Sequence, residues 1–362
     1  MFNGIAGWIK IILAMAVSAL GSFLMTPPVK SFAEKVGAID VPKDERRVHN
    51  HPIPRMGGLA IFIGFVISLL CFVPMTTPVM GMLIGAVIIA VMGAVDDIVS
   101  LNAWIKLAVQ ILAAVVAIRS GIVFNVISNP LSTKTTIDIG FLAIPITLIW
   151  IVGCTNAVNL IDGLDGLAVG VSAISSLTML VVALFVSNDI GVSIILAALT
   201  GACIGFMPYN LNPAKIFMGD VGSQLLGYVL STVSVIGLLK LHAIIAFLVP
   251  VMALSVPLAD TVFAFCRRIL RGQSPFHADK GHFHHRLLRM GFSQKQAVAV
   301  LYAVSAVMGL FAVLLTGTNI AVRIICIVAV FAISIGVWFF VLRQNPKFHI
   351  EHKESGKQEE TK

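Results

Sequence analysis

Apolar runs long enough to cross a bilayer recur along this 362-residue chain, and they leave it few folds to choose from. Crossing about 30 Å of hydrocarbon takes roughly 20 residues of helix. Such runs are read at 5–25, 57–74, 78–95, 103–119, 141–155, 167–187, 190–207, 223–239, 242–265, 296–316 and 320–342. Only 12% of the residues are charged, against about a quarter in a soluble domain. The expected fold is therefore an all-α polytopic membrane protein with about eleven transmembrane helices. It forms a single transmembrane catalytic domain over 1–342, followed by a polar cytoplasmic tail over 343–362. The first run carries Lys10 and no small-x-small cleavage pattern, so it is read as a retained span rather than a signal peptide.

Positive charge sorts the loops. Of the 25 Lys and Arg, 20 fall in the segments 28–56, 96–106, 155–166, 208–222, 266–295 and the tail, which an odd number of spans places on one side. Cytoplasmic loops carry the excess of Lys and Arg. This rule puts the N-terminus outside and these loops in the cytoplasm. The net charge of +8 is then a topology and anionic-lipid signal, and no nucleic-acid partner is expected. The five cysteines lie singly, mostly in apolar runs and without a CxxC pair, as small core residues do.

The chain has only 17 acidic residues, and five of them sit in three short motifs on that one side. Asp96 and Asp97 end the third run. Adjacent carboxylates raise one another's pKa unless a cation lies near, so they are metal ligands, a base beside a metal, or a solvated helix end. Lys106 follows in the first turn of the next helix, with Gln110 one turn on along the same face. It either neutralises a phosphate or marks topology. In Asn156-Ala-Val-Asn159-Leu-Ile-Asp162-Gly-Leu-Asp165-Gly, polar residues recur every third position. They suit a hydrated metal, a phosphate or a nucleoside, or polar packing between helices. Asp220, between Gly219 and Val221-Gly222, either caps the helix that starts there or serves as a hard oxygen ligand for Mg2+.

Four of the nine histidines fall within 277–285. The spacing fits zinc poorly; His282, His284, His285 and Arg286 suit an anionic diphosphate better. Asp260, inside the ninth run, either reaches the site, pairs with a buried amide, or pairs with Arg267 across two turns. The first large loop runs from Asp40-Val-Pro42 through Arg46, Arg47, His49 and His51 to Arg55-Met-Gly57-Gly58, and could cover an anionic head group. Polar motifs gathered on one face argue for a single surface site and against a conduction path, which would need polar groups through the spans.

Together, GxxDD (Gly93, Asp96, Asp97), NxxNxxDGxDGLA (Asn156–Ala168), MGDxGS (Met218–Ser223) and HFHH (His282–His285) resemble the polyprenyl-phosphate N-acetylhexosamine-1-phosphate transferases. The resemblance runs from about residue 20 to 340. Phe283 interrupts the three-histidine run of the branch that uses UDP-N-acetylmuramoyl-pentapeptide, so the chain looks more like the N-acetylglucosamine branch. Within it, the chain is most similar to the Gram-positive members that begin the wall teichoic acid linkage unit.

The resemblance implies that N-acetylglucosamine-1-phosphate passes from UDP-N-acetylglucosamine to undecaprenyl phosphate, with Mg2+ as cofactor and the lipid bilayer as setting. It leaves room for a homodimer. It implies that Asp220 and Asp97 bind the metal, and that Asp96, Asp97, Lys106 and Asp162 form the catalytic group. Asn156, Asn159, Asp165, His282, His284, His285 and Arg286 would hold the substrate. Another UDP-N-acetylhexosamine is the near alternative. A Mg-dependent membrane prenyltransferase has no reason for the MGD and HFHH loops, and a lipid-linked sugar flippase would need polar spans.

Overall fold

The structure is a computed structural model. It describes residues 4–41, 51–124, 126–128, 136–138, 140–238, 249–270, 282–317, 322–323 and 325–329. The tail 343–362, most of the expected span 320–342, and His277 to Gly281 lie outside the described residues. Two units can be distinguished, Met1–Val313 and Leu314–Lys362. In the second, Arg323 Nε donates to the Gly317 carbonyl at 2.7 Å.

The first unit is helical. Its helices are α1 (Gly4–Lys35), α2 (Gly58–Phe72), α3 (Thr77–Val99), α4 (Ala103–Arg119), α5 (Ala143–Ile161), α6 (Leu167–Val182), α7 (Ile190–Asn210), α8 (Gly219–Leu238), α9 (Ser255–Leu270), α10 (Phe283–Arg289) and α11 (Gln294–Leu315). Two small antiparallel pairs interrupt them. Strand β1 (Ile39–Asp40) pairs with β2 (Ile53–Pro54), and β3 (Val126–Ser128) pairs with β4 (Thr136–Asp138). Among the described residues, six helices are long and apolar enough to cross a membrane, and α2 and the start of α9 are shorter apolar helices.

Helix α1 packs on α7 and α2, α3 on α8 and α4, and α5 on α8. Small residues allow the closest of these contacts: Gly201 and Gly205 of α7 lie directly on the backbone of Met15 and Ala19 in α1. This is how helices associate where lipid removes the hydrophobic drive between them. The outward faces stay apolar, as at Ile84, Val87 and Val91 of α3.

Several helices run past the expected boundaries, α1 and α5 the furthest at their C-terminal ends. Helix α1 continues ten residues past Met25, through Pro27 and Pro28. Proline removes a backbone donor; just before the pair, the Thr26 hydroxyl adds a bond of 2.7 Å to the Ser22 carbonyl. Helix α5 continues past residue 155 to Ile161. Asn156 and Asn159 do not end it, because each finds a side-chain partner inside the bundle. The expected turn at 187–189 is present: Asn188 is left-handed (φ 49) and Asp189 caps α7 through the Val192 N–H. Cys154, Cys203 and Cys326 are buried, Cys71 and Cys266 are exposed, and all five are free.

Candidate active site

The motifs meet where α3 ends and α8 begins. Asp97, in the last turns of α3, reaches across to the first turn of α8. Its Oδ1 accepts from the Asp220 N–H at 3.0 Å, and its Oδ2 from the Val221 N–H at 3.4 Å. A helix start carries unpaired N–H groups and partial positive charge, and here the carboxylate that caps it comes from another helix. The same Oδ1 accepts from Arg55 Nε and Nη2, each at 3.1 Å. The helix-cap role that the sequence left open for Asp220 thus falls to Asp97. Gly219 (φ +71) is needed for the turn, since a Cβ there would strike the Asp97 carboxylate.

Backbone bonds bring Arg55 to this place. The Phe217 N–H donates to the Pro54 carbonyl at 2.8 Å, the Gly57 N–H to the Phe217 carbonyl at 2.9 Å, and the Gly58 N–H to the Met218 carbonyl at 2.8 Å. Residues 54–58 and the MGD loop are therefore zipped together. Arg55 is one basic residue among several in its loop, and nothing in the sequence singles it out.

With its helix start capped from outside, Asp220 is free to turn its carboxylate toward α4 and α5. Lys106 Nζ lies 2.9 Å from Asp220 Oδ2 and 2.8 Å from Asp96 Oδ2, joining the two carboxylates. Asp96 Oδ1 also accepts from the Leu101 N–H at 2.7 Å, which closes the turn into α4. Asn159 Nδ2 donates to Asp220 Oδ1 (3.2 Å) and Ser223 Oγ (2.8 Å). Gln224 Nε2 donates to Asp220 Oδ2 at 3.0 Å. Behind it, Gln110 bonds Gln224 at 2.8 Å and exchanges bonds with Asn156 at 2.7 and 3.3 Å. Gln224 is the residue that the motifs concealed; its only signal is its position four residues, or one helical turn, after Asp220.

Asp162 follows the last residue of α5, and among the described residues no donor reaches its carboxylate. Burial, then the charges of Asp220 and Asp97, push its pKa up to about 8. Among the described residues, four carboxylates (Asp96, Asp97, Asp162 and Asp220) thus lie with two cations, Arg55 and Lys106. Such an excess of buried negative charge favours a further cation.

Asp162, Asn159 and Asp220 border a cavity of about 500 Å³, lined also by Arg55, Asp165 and Phe217. Asp165 Oδ2 accepts from Asn212 Nδ2 (2.9 Å) and the Ala214 N–H (3.1 Å), so it shapes the wall of the cavity. Asn212 also donates to Gln294 at 2.8 Å, tying the start of α11 to the same wall.

The histidine motif sits against the Asp162–Asp165 turn. His284 is buried, with its ring directly over Gly163, and a Cβ at Gly163 would strike that ring. Replacing Gly163 with Ala is expected to displace the histidine and lower turnover about 10²-fold with little loss of folded protein, measured by an activity assay beside a thermal melt. His282 stacks on His284 at 5.8 Å, and His285 lies 4.3 Å from His284. Arg286 begins the basic stretch of α10.

Burial, then the neighbouring His285 charge, push the His284 pKa down to about 3, which holds the ring neutral at pH 7. The unfolded chain takes up this proton near 6.5 while the folded chain resists to about 3. The stability held by a neutral His284 is therefore complete above pH 6.5 and is lost as pH falls toward 3. The melting temperature in detergent should drop more between pH 7 and pH 4.5 for the unaltered protein than for His284→Gln. Equal drops would contradict this.

The profile of glycosyl transferase family 4 matches residues 79–238, which hold the Asp96/Asp97, Asn156–Asp165 and Asp220 motifs. Over 313 residues the chain is 42% identical to a probable undecaprenyl-phosphate N-acetylglucosaminyl 1-phosphate transferase of Bacillus subtilis (strain 168), covering 86% of this chain and 87% of that one. The chain belongs to the polyprenyl-phosphate N-acetylhexosamine-1-phosphate transferase family.

A second member of this family, the decaprenyl-phosphate N-acetylglucosaminephosphotransferase of Mycobacterium tuberculosis (strain ATCC 25618 / H37Rv), is 35% identical over 321 residues, 81% of this chain and 79% of its own. A phospho-N-acetylmuramoyl-pentapeptide-transferase of Staphylococcus aureus (strain MSSA476) is 34% identical over 274 residues, 71% of this chain and 83% of its own.

Proposed function

We propose that the protein transfers N-acetylglucosamine-1-phosphate from UDP-N-acetylglucosamine to undecaprenyl phosphate, releasing UMP. The observation that carries this reading is the Asp96–Lys106–Asp220 chain, with Asn159 and Asp162 beside it, at the rim of a cavity large enough for a small ligand. The named activities of the relatives are of the same kind. In the reaction, an oxygen of the lipid phosphate bonds to the β-phosphorus of the nucleotide. The bond between that phosphorus and the bridging oxygen breaks, and its electron pair leaves with UMP. A phosphate monoester has its second pKa near ~6, so at pH 7 the lipid phosphate is already mostly dianionic and needs no base.

The donor set fits Mg2+. Among the described residues no three His, Cys, Asp or Glu side chains converge on one point. Mg2+ commonly takes only one or two carboxylates plus substrate phosphate and water. Asp220 and Asp162, whose carboxylates border the cavity, would hold it. When bound, it offsets charge on the diphosphate during transfer.

Asp97, which does not line the cavity and is held by Arg55 and two backbone N–H groups, positions Asp220 and Arg55. Lys106 offers its ammonium to a phosphate. Asn159 and Gln224 orient the Asp220 carboxylate, and Asn156 supports them through Gln110. The excess of Lys and Arg in these loops supports a cytoplasmic placement of this end of the bundle, the side on which UDP-sugars are found. The lipid product would open the synthesis of teichoic acid or a related envelope polymer.

A panel test separates the substrates. Purified protein, undecaprenyl phosphate and Mg2+ are incubated with UDP-N-acetylglucosamine, UDP-N-acetylgalactosamine or UDP-N-acetylmuramoyl-pentapeptide. The expected lipid product is undecaprenyl-diphospho-N-acetylglucosamine. A product formed only from the pentapeptide nucleotide would overturn the assignment.

A further inference from the structure

Asp260 is a buried carboxylate in α9, and none of the roles assigned above uses it. In a mostly apolar helix such a group is costly unless it is fully partnered. Here its partners lie 22 and 23 residues away. Asp260 Oδ2 is 2.8 Å from His282 Nδ1, and Oδ1 accepts from the Phe283 N–H at 2.8 Å. One turn along α9, Phe263 meets Phe283 edge to face, with ring centroids 5.6 Å apart. One face of α9 thus supplies a polar clamp and an apolar clamp to two consecutive residues at the start of α10. This gives Phe283 a physical role: it is the apolar anchor where a third histidine would otherwise stand.

We infer that Asp260 is a positioning residue. Through His282 it fixes one ring tautomer, and through Phe283 it seats α10, so that His284 rests over Gly163 beside the site. A carboxylate at Nδ1 requires the proton there, which leaves Nε2 to face outward as acceptor when the ring is neutral or as donor when it is charged. A histidine whose second nitrogen is held by a carboxylate has both tautomer and orientation set by that partner. His284 stacks on His282, so the orientation of one ring is passed to the next. The effect on turnover rests on the transferase reading above; the tautomer and the seating of α10 do not.

The test uses full-length protein in nanodiscs. Asp260→Asn keeps an acceptor for the Phe283 N–H but presents an amide N–H2 to His282, which forces the ring proton from Nδ1 to Nε2. With ¹⁵N-labelled histidine, and His282→Gln to assign the signal, solid-state NMR should show Nδ1–H at His282 in the unaltered protein and its loss in Asp260→Asn. UMP release should fall roughly 10–100-fold in each single variant and no further in the double variant, because both act through one contact. Losses that multiply in the double variant would overturn the proposal. So would an unaltered His282 protonated on Nε2 alone, and that measurement stands even if Asp260→Asn does not fold. Unaltered protein that released no UMP would refute the transferase reading and leave the tautomer result intact.

Discussion

Asp220→Asn should lower kcat by about 10²–10³-fold, the range seen when one preorganised charge-stabilising group is lost. The amide has nearly the same shape, so the helix start and its cap from Asp97 should survive, and the melting temperature should fall less than in Asp97→Asn. What is lost is the charge between Lys106, Asn159 and Gln224. Two consequences follow. Lys106 keeps only Asp96 as a carboxylate partner, and one of the two carboxylates at the rim of the cavity is gone. The Mg2+ concentration for half-maximal rate should therefore rise together with the fall in kcat, while a variant with near-normal activity at low Mg2+ would remove Asp220 from the metal site. Steady-state UMP release over an Mg2+ titration decides the matter.

The second large effect is expected at Asp97, for a different reason. Its carboxylate is fully buried and holds Arg55 together with the Asp220 and Val221 N–H groups in the first turn of α8. Asp97→Asn turns one acceptor into a donor facing Arg55 or an N–H, and leaves a guanidinium without its carboxylate. Breaking such a buried pair typically costs about 3–5 kcal/mol, so the variant should melt measurably lower. Because Asp220 rides on the same turn, a shift of about 1 Å would also lower kcat about 10²-fold. If Asp97 acts by position, the pH–rate profile of the weakened enzyme keeps its shape. If it were the proton acceptor, the acidic limb of that profile would vanish in the variant.

Much of this site can be read in the sequence, and the reason is chemical. Carboxylates and amides in a chain this apolar are costly, so Asp96, Asp97, Asn156, Asn159, Asp162 and Asp220 stand out by type alone, and the structure brings all of them to one end of the bundle. Lys106 and Gln110 are also legible, since one helical turn separates them and both face the network.

The division of labour is not legible, because it depends on which backbone donors each carboxylate meets. Asp96 and Asp97 are neighbours of one type, yet the first closes a turn and pairs with Lys106, while the second caps a helix 123 residues away. Arg55 is concealed by a basic loop and located only through backbone bonds to Phe217 and Met218. The end of α5 is misread for a related reason: an asparagine looks like a helix terminator until its partner on another helix is known.

The central claim is that a bond to the β-phosphorus of a UDP-sugar is the one exchanged. UDP-N-acetylglucosamine carrying ³²P only at the β position, incubated with purified protein, undecaprenyl phosphate and Mg2+, tests it directly. The prediction is that the label moves quantitatively into the lipid fraction while unlabelled UMP appears in equal amount. Label retained in released UDP, with sugar alone on the lipid, would contradict it.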